Sequence, residues 1–333
     1  MGPVPSISVI VPLYNQVGRI EITLSDILSQ TFKDVEIILV DDASTDGGAA
    51  SAEKFLSNSS ASWTLVRHPK NRGASEARNT GLDIASGKAV FFLDGDDRIS
   101  PGTLALLWNR MRKSNSPLAF CGFKVCRENQ ESVKIYSYPL HDMESPVPTE
   151  KILFAFLRGK RYMNASNVLY NRSFLIAQKI RFPRGCRFAE DREFIVKALF
   201  HGEEVAIIPD ALVSYVQHEN QSTNRMAKDP AKYAHEVGVY LRLRKYLAER
   251  QADPKLLRLI DSLELPNAVI KMATSAVRSA REDLFWKVVH SRRLRELACR
   301  GLLAWSVKPE VAFKSMLFSH VPGLLLCLYR RNT

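Results

Sequence analysis

The sequence predicts an α/β fold, a parallel β-sheet with helices on both faces, continued at its C-terminal side by a helical extension. Apolar β-branched runs alternate with helix-period segments across residues 7–93, and from about Pro230 onward helical periodicity replaces strand signals. Polar residues concentrate in the loops that follow the apolar runs, and ligands of such sheets collect at that carboxyl edge.

The first strand is read at Ile7–Val11, a continuous apolar run, followed by the turn Pro12-Leu13-Tyr14-Asn15 and a helix carrying Ile20, Leu24, Ile27 and Leu28. The cycle repeats with Glu36–Val40, the loop Asp41–Gly48 and a helix near Ala49–Leu56. It repeats again with Trp63–His68, the loop Pro69–Gly73 and a helix from Ser75 to about Ala85, and then with Ala89–Leu93 and a loop at Asp94. Beyond Pro117 the pattern is irregular, with strands expected at Leu118–Val125, Val133–Tyr138, Asn167–Tyr170, Val205–Ile208 and Leu212–His218. Helices are expected near Glu150–Arg158 and Asp191–Phe200.

The chain of 333 residues is long enough for a main body and an appendage. Its 46% apolar and 25% charged residues match ordinary globular usage and argue against disorder or a fibrous repeat. Lys and Arg number 47 against 35 acidic residues, a net charge of +12, which suits a negatively charged partner or substrate. Five cysteines without paired spacing argue against a disulfide framework or a zinc site. The first residues lack the basic start and apolar run of a signal peptide, so a cytoplasmic location is expected.

Three polar clusters carry the candidate chemistry. Asp94-Gly95-Asp96-Asp97 closes an apolar strand, and the repulsion of its carboxylates is relieved by a hard divalent cation that bridges to phosphates. Acidic turns are common, and it is the position after a strand of the array that favours a functional reading. In Asp41-Asp42-Ala43-Ser44-Thr45-Asp46, a helix cap at Ser44 or Asp46 explains the second half but not two carboxylates at the strand end. In Asn71–Asn79, Ser75 is read as a helix cap, and Arg78 lies near a helix N-terminus, a ready anion site; an arginine there is more commonly a solvated charge.

Together these stretches resemble the family 2 glycosyltransferases, inverting enzymes of the GT-A fold, a Rossmann-like nucleotide-binding sheet flanked by helices. The matching text is Ser8–Asn15, Ile37–Asp46, Asn71–Gly81 and Phe92–Asp97, in order and at the expected spacing. The resemblance is strong over residues 6 to about 115, weaker through the next hundred, and absent from the last hundred. It implies a catalytic domain at 1–225, with a nucleotide-sugar half at 1–115 and an acceptor half at 116–225, and a helical region at 226–333.

The resemblance also implies roles. Pro12, Tyr14 and Asn15 line the nucleotide pocket, Asp42 contacts the base, Arg78 supports base or diphosphate, and Asp94 lies near ribose or metal. Asp96 binds the cofactor, Mn2+ or Mg2+, Asp97 assists it, and His218 is a candidate metal or phosphate contact. Asp191, in Glu190-Asp191 at a helix start, matches the general base; ordinary acidic helix starts look the same without the upstream motifs. The implied reaction moves one sugar from a nucleotide-diphosphate sugar, a UDP-sugar by expectation, to a hydroxyl of a saccharide or lipid-linked saccharide. Competing readings are a sugar nucleotidyltransferase, disfavoured because Val11–Gly18 is not Gly-rich, and a basic nucleic-acid-binding protein, disfavoured because the candidate pocket is acidic and no nucleic-acid motif is present.

In the C-terminal region, Leu284, Val288, Leu294, Leu297, Ala298, Leu302 and Trp305 read as one helix stripe interleaved with Arg292, Arg293, Arg295 and Arg300. The apolar run Leu324–Leu328 is too short to span a bilayer. Two expectations compete: a helical cap, or a peripheral segment on an anionic membrane surface, with Trp305, Phe313 and Phe318 inserting.

Overall fold

The computed structural model describes residues 4–128, 132–138, 146–160, 162–218, 229 and 232–330. It divides into two compact units, the first formed by residues 1–153, 162–186 and 190–218 and the second by 154–161, 187–189 and 219–333.

The first unit is built on one mixed sheet. Its strands are β1 (Ile7–Leu13), β2 (Val35–Asp41), β3 (Ser62–Arg67), β4 (Ala89–Phe92), β5 (Arg98–Ile99), β6 (Leu118–Arg127), β7 (Ser132–Tyr136), β8 (Val147–Pro148), β9 (Val168–Asn171) and β10 (Glu204–Gln217). The order is β3-β2-β1-β4-β9-β6-β10-β5, with β7 on β6 and β8 on β10. Helices α1 (Ile20–Leu28), α2 (Gly48–Ser57), α3 (Ala74–Ile84), α4 (Thr103–Ser114), α5 (Thr149–Leu157), α6 (Arg172–Ala177) and α7 (Glu190–His201) connect them.

The four strands of residues 7–93 form the expected parallel array, and the strands after Pro117 extend the same sheet as a mixed one. β1, β2, β3 and β4 are parallel, but β9 runs antiparallel between β4 and β6. The chain between β6 and β9 holds two short strands and α5 in place of a single crossover helix, so the returning strand can enter reversed. Because β9 is antiparallel to both neighbours, β6 and then β10 regain the direction of β4. The carboxyl ends of β1, β2, β4 and β10 therefore share one edge. The two strands expected across 205–218 are one, β10, whose register slips at Ile208/Ala211 and Ala211/Val213, around Pro209. Helix α4 was not expected, although its buried Leu104, Leu107, Trp108 and Met111 stand at helical spacing.

Central strands are buried on both faces, which explains why they read as continuous apolar runs. Ile7, Val9, Val11 and Leu13 of β1 join Ile37, Leu39, Phe91 and the inner residues of α1, α2 and α4. On the opposite face Phe92 meets Phe182 at 5.0 Å and Phe194 of α7 at 5.6 Å, while Phe182 and Phe194 stack at 4.0 Å. On that face α3 approaches β1 so closely that a Cβ on Gly81 would lie 2.3 Å from Ile10 Cγ2. Gly81→Ala is therefore expected to cost about 1–3 kcal/mol in urea unfolding, despite the better helix propensity of alanine.

The second unit is helical: α8 (Lys232–Glu249), α9 (Pro254–Leu259), α10 (Leu265–Arg278), α11 (Glu282–His290), α12 (Arg292–Cys299), α13 (Pro309–His320) and α14 (Pro322–Arg330). Tyr240, Leu243, Ala268, Val269, Ala273, Phe285 and Phe318 form its core. The single stripe expected from Leu284 to Trp305 is broken. Ser291 caps α12 by accepting from Leu294 N, and residues 300–304 tighten into a 3₁₀ turn. Phe318, expected to insert into lipid, is fully buried, so that expectation is corrected; Trp305 and Phe313 are exposed.

Candidate active site

Three loops at the carboxyl edge are stitched together by their own side chains. After β1, Asn15 takes a left-handed backbone (φ 53°); its N–H donates to Ser44 Oγ (3.1 Å) and its Oδ1 accepts from Thr45 N (2.8 Å). Asp46 accepts from Val17 N through one oxygen and from Gly48 N, at the start of α2, through the other. Neither Ser44 nor Asp46 is the N-cap of α2, as the sequence suggested: Gly47, in a left-handed backbone, holds that position, and Ser44 serves the neighbouring loop. Tyr14, 39% exposed, leaves an aromatic face open beside this edge.

Asp42 is buried and fully engaged. His68 Nδ1 donates to Oδ1 at 2.7 Å, Arg72 N to both oxygens at 2.9 and 3.0 Å, and Gly73 N to Oδ2 at 2.7 Å. This carboxylate shapes the 68–73 loop, and Gly73 stands at the N-cap of α3 with φ 89°, a backbone that glycine adopts without strain. Ser75 does not cap α3, as the sequence suggested. It lies inside the helix and donates to Cys186 O (3.2 Å), because Gly73 already occupies the cap position.

Ser75, Arg78 and Asn79 stand at i, i+3 and i+4, on one face of α3. All three bind the segment that leads into α7. Asn79 donates to Phe182 O and accepts from Phe182 N, both at 2.9 Å. Arg78 donates to Asp94 Oδ1 at 2.6 Å and to Glu190 Oε1 at 3.0 Å, with its guanidinium 5.2 Å from the Phe182 ring centre. It is buried, contrary to the ordinary fate of an arginine on a helix. Burial pulls its pKa down, but the charges and hydrogen bonds of Asp94 and Glu190 outweigh it and raise the pKa above the usual value. Arg78 therefore ties the end of β4 to the start of α7.

The acidic loop after β4 is held from two sides. Thr23 Oγ1 on α1 lies within hydrogen-bond reach of Gly95 O (3.1 Å) and Asp97 O (2.9 Å). Asp97 is buried and accepts from Val216 N at 3.1 Å; burial, with Asp96 and Asp94 beside it, holds its carboxyl well above the usual range. Asp96 Oδ2 accepts from Gln16 Nε2 (3.1 Å) and from His218 Nε2 (2.8 Å). Gln16, Thr23 and His68 were not singled out in the sequence. Thr23 had a signal, a polar residue on the apolar stripe of α1, and Gln16 adjoins the first loop.

At the start of α7, Glu190 faces Arg78 and Asp191 is partly buried. Burial, then the Glu190 charge, push the Asp191 carboxyl up to about 6 against the opposing pull of Arg78, Arg192 and the Arg192 N–H. The buried hydroxyl of Tyr170 has no hydrogen-bond partner among the described residues, and burial followed by the charge of Asp191 raises its pKa. A carboxylate poised near 6 and joined through Glu190 and Arg78 to the acidic loop suits general base work.

For a divalent cation, the residues present fit in part. Asp94 Oδ2 and Asp96 Oδ1 have no hydrogen-bond partner among the described residues, and carboxylate oxygens are the donors Mg2+ and Mn2+ take. Among the described residues no three or more His, Cys, Asp or Glu side chains form a complete cage. Such a cation would draw its remaining ligands from substrate phosphates, the usual arrangement for Mg2+. His218, expected beside the metal, uses Nε2 on Asp96 and so orients that carboxylate.

The family model described as "Glycosyl transferase family 2" matches residues 8–177, more than half of the chain. The chain belongs to this family. It is 30% identical to the glycosyltransferase EpsJ of Bacillus subtilis over 221 residues, 66% of this chain and 63% of the length of EpsJ. The chain thus spans less than two thirds of that relative. Residues 1–349 of Staphylococcus aureus TarS in complex with UDP-GlcNAc share the fold with a TM-score of 0.61 at 21% identity, covering 98% of this chain and 89% of that one. The mannosyltransferase PcManGT of Pyrobaculum calidifontis, in complex with GDP-Man and Mn2+, has a TM-score of 0.57 at 19% identity, covering 98% and 87%. The GT-A fold expected from the motifs is therefore the fold found.

Proposed function

We propose that this glycosyltransferase moves a single sugar from a nucleotide-diphosphate sugar, a UDP-sugar in the first instance, to a hydroxyl of a saccharide or lipid-linked saccharide, with inversion at the anomeric carbon. One observation carries the reading. Arg78 holds Asp94 of the acidic loop and Glu190 beside Asp191 at the same guanidinium, which joins the donor edge to the candidate base.

Asp191 accepts the proton of the acceptor hydroxyl as that oxygen attacks the anomeric carbon. The bond to the departing diphosphate breaks in the same displacement, so no protein nucleophile is needed and an α-linked donor gives a β-linked product. A divalent cation bound by Asp96, with Asp94, would offset the charge gathering on the leaving group. The loop of Pro12, Tyr14 and Asn15, pinned to Ser44 and Thr45, would line the nucleotide, and Asp42, which holds the 68–73 loop, would contact the base. TarS with UDP-GlcNAc and PcManGT with GDP-Man and Mn2+ support the donor class and the metal.

A screen of nucleotide sugars with a mixed saccharide and lipid-linked acceptor set is expected to show release of a nucleoside diphosphate that EDTA abolishes and Mn2+ or Mg2+ restores. Release of pyrophosphate in a parallel assay that supplies a nucleoside triphosphate and sugar 1-phosphates would point to a nucleotidyltransferase and overturn the reading. Metal-independent release would remove the cation from it.

A further inference from the structure

We infer that the second unit carries a membrane-docking surface, formed by the 3₁₀ turn at 300–304, α13 and α14, for an anionic lipid bilayer that it lies upon and does not cross. A helix packed only as a cap presents polar residues outward. α14 does the opposite: Leu325 and Leu326 are buried, yet its outward positions are Leu324, Cys327 and Leu328, with no charged residue between Pro322 and Tyr329. Leu303 is 77% exposed, Trp305 51% and Phe313 46%, all in consecutive segments that pack on one another. Isolated exposed apolar residues are ordinary, but this concentration, with a tryptophan in it, marks a contact surface.

Charge selects the occupant. Residues 284–333 hold nine lysines and arginines against two acidic residues, so this stretch supplies seven of the twelve net positive charges of the chain. Arg292, Arg293 and Arg295 are exposed on α12. Arg293, Lys308 and Lys314 form no ion pair among the described residues. Apolar side chains flanked by unpaired cations are the arrangement that anionic headgroups attract. A protein partner of matching acidity is the other occupant, and the test separates them.

Geometry favours lying on the bilayer over crossing it. Among the described residues no single helix is long and apolar enough to cross a membrane; α13 and α14 reach that length and apolarity only together, and a bend of 119° separates them. The apolar side chains that these helices expose, Phe313 on α13 and Leu324 and Leu328 on α14, suit the headgroup boundary.

The full chain is expected to sediment with vesicles of phosphatidylcholine and phosphatidylglycerol and to bind vesicles of phosphatidylcholine alone about tenfold more weakly or less. The exposed substitutions Leu324→Glu with Phe313→Ser, and separately Arg292→Glu with Arg293→Glu, should each weaken binding about tenfold or more, with circular dichroism and melting unchanged. Trp305→Phe should remove a fluorescence blue shift that vesicles induce in the parent chain. If the parent fails to bind anionic vesicles, or if both double variants bind as it does, the surface is not a lipid surface. Concentration-dependent self-association abolished by Leu324→Glu, without vesicle binding, would assign the patch to a second copy and overturn the inference.

Discussion

Asp191→Asn is expected to lower kcat by about 10²- to 10⁴-fold, the range of a lost general base, while the KM for the donor changes little. Asparagine keeps the shape and loses the basicity, so binding survives and proton removal does not. Because burial and Glu190 push the carboxyl up to about 6, kcat/KM of the parent should fall one decade per pH unit below about 6, as the base becomes protonated. The same shift has a stability consequence of the opposite sign. An unfolded aspartate titrates near 4, so folding favours the protonated form; the associated stability is present in full below about pH 4 and is lost as pH rises through about 6. At neutral pH the Asn variant should therefore be as stable as the parent or on the order of 1 kcal/mol more stable. A melting temperature that drops sharply in Asp191→Asn would contradict this account of its environment.

Arg78→Met is expected to have the largest effect on stability. It removes the cation between Asp94 and Glu190 and leaves two carboxylates facing each other beside the Phe182 ring. Breaking a buried pair costs about 3–5 kcal/mol. Asp94 keeps a third of its side chain in solvent, which places the loss at the lower end, about 3 kcal/mol in urea unfolding. Arg78→Lys restores charge without the fork that reaches two carboxylates, so it should recover only part. A double-mutant cycle with Glu190→Gln should show coupling of about 1 kcal/mol or more, whereas additive losses would mean that the two groups do not act through each other. Activity should fall in both variants, since the segment that carries Asp191 loses its tie to the acidic loop.

The edge of the sheet was legible because strands buried on two faces write themselves as apolar runs, and the polar loops after them then stand out. Asp94, Asp96, Asp42 and Asp191 were singled out as candidates in this way or through the family resemblance. What each carboxylate touches was not legible. Asp42 takes donors from His68, Arg72 and Gly73, and the sequence separation of about 30 residues hides the pairing. Arg78 reads as a surface charge on its own helix, since its partners lie 16 and 112 positions away and only the fold assembles them. The reversed strand β9 was likewise invisible, because a four-residue apolar strand carries no mark of its direction. At the other end of the chain, helical spacing located the apolar residues but could not tell Phe318, in the core, from Phe313, in solvent.

The central claim is that donor, cation and base meet at the edge joined by Arg78. Crystals grown with a UDP-sugar, or with another donor that the screen selects, and Mn2+ test it directly through the anomalous signal of the metal. The account predicts a peak at the carboxylates of Asp96 and Asp94, diphosphate oxygens completing its ligands, and the anomeric carbon turned toward Asp191. A donor bound with its diphosphate away from the Asp94–Arg78–Glu190 link, or a metal held by none of these carboxylates, would contradict it.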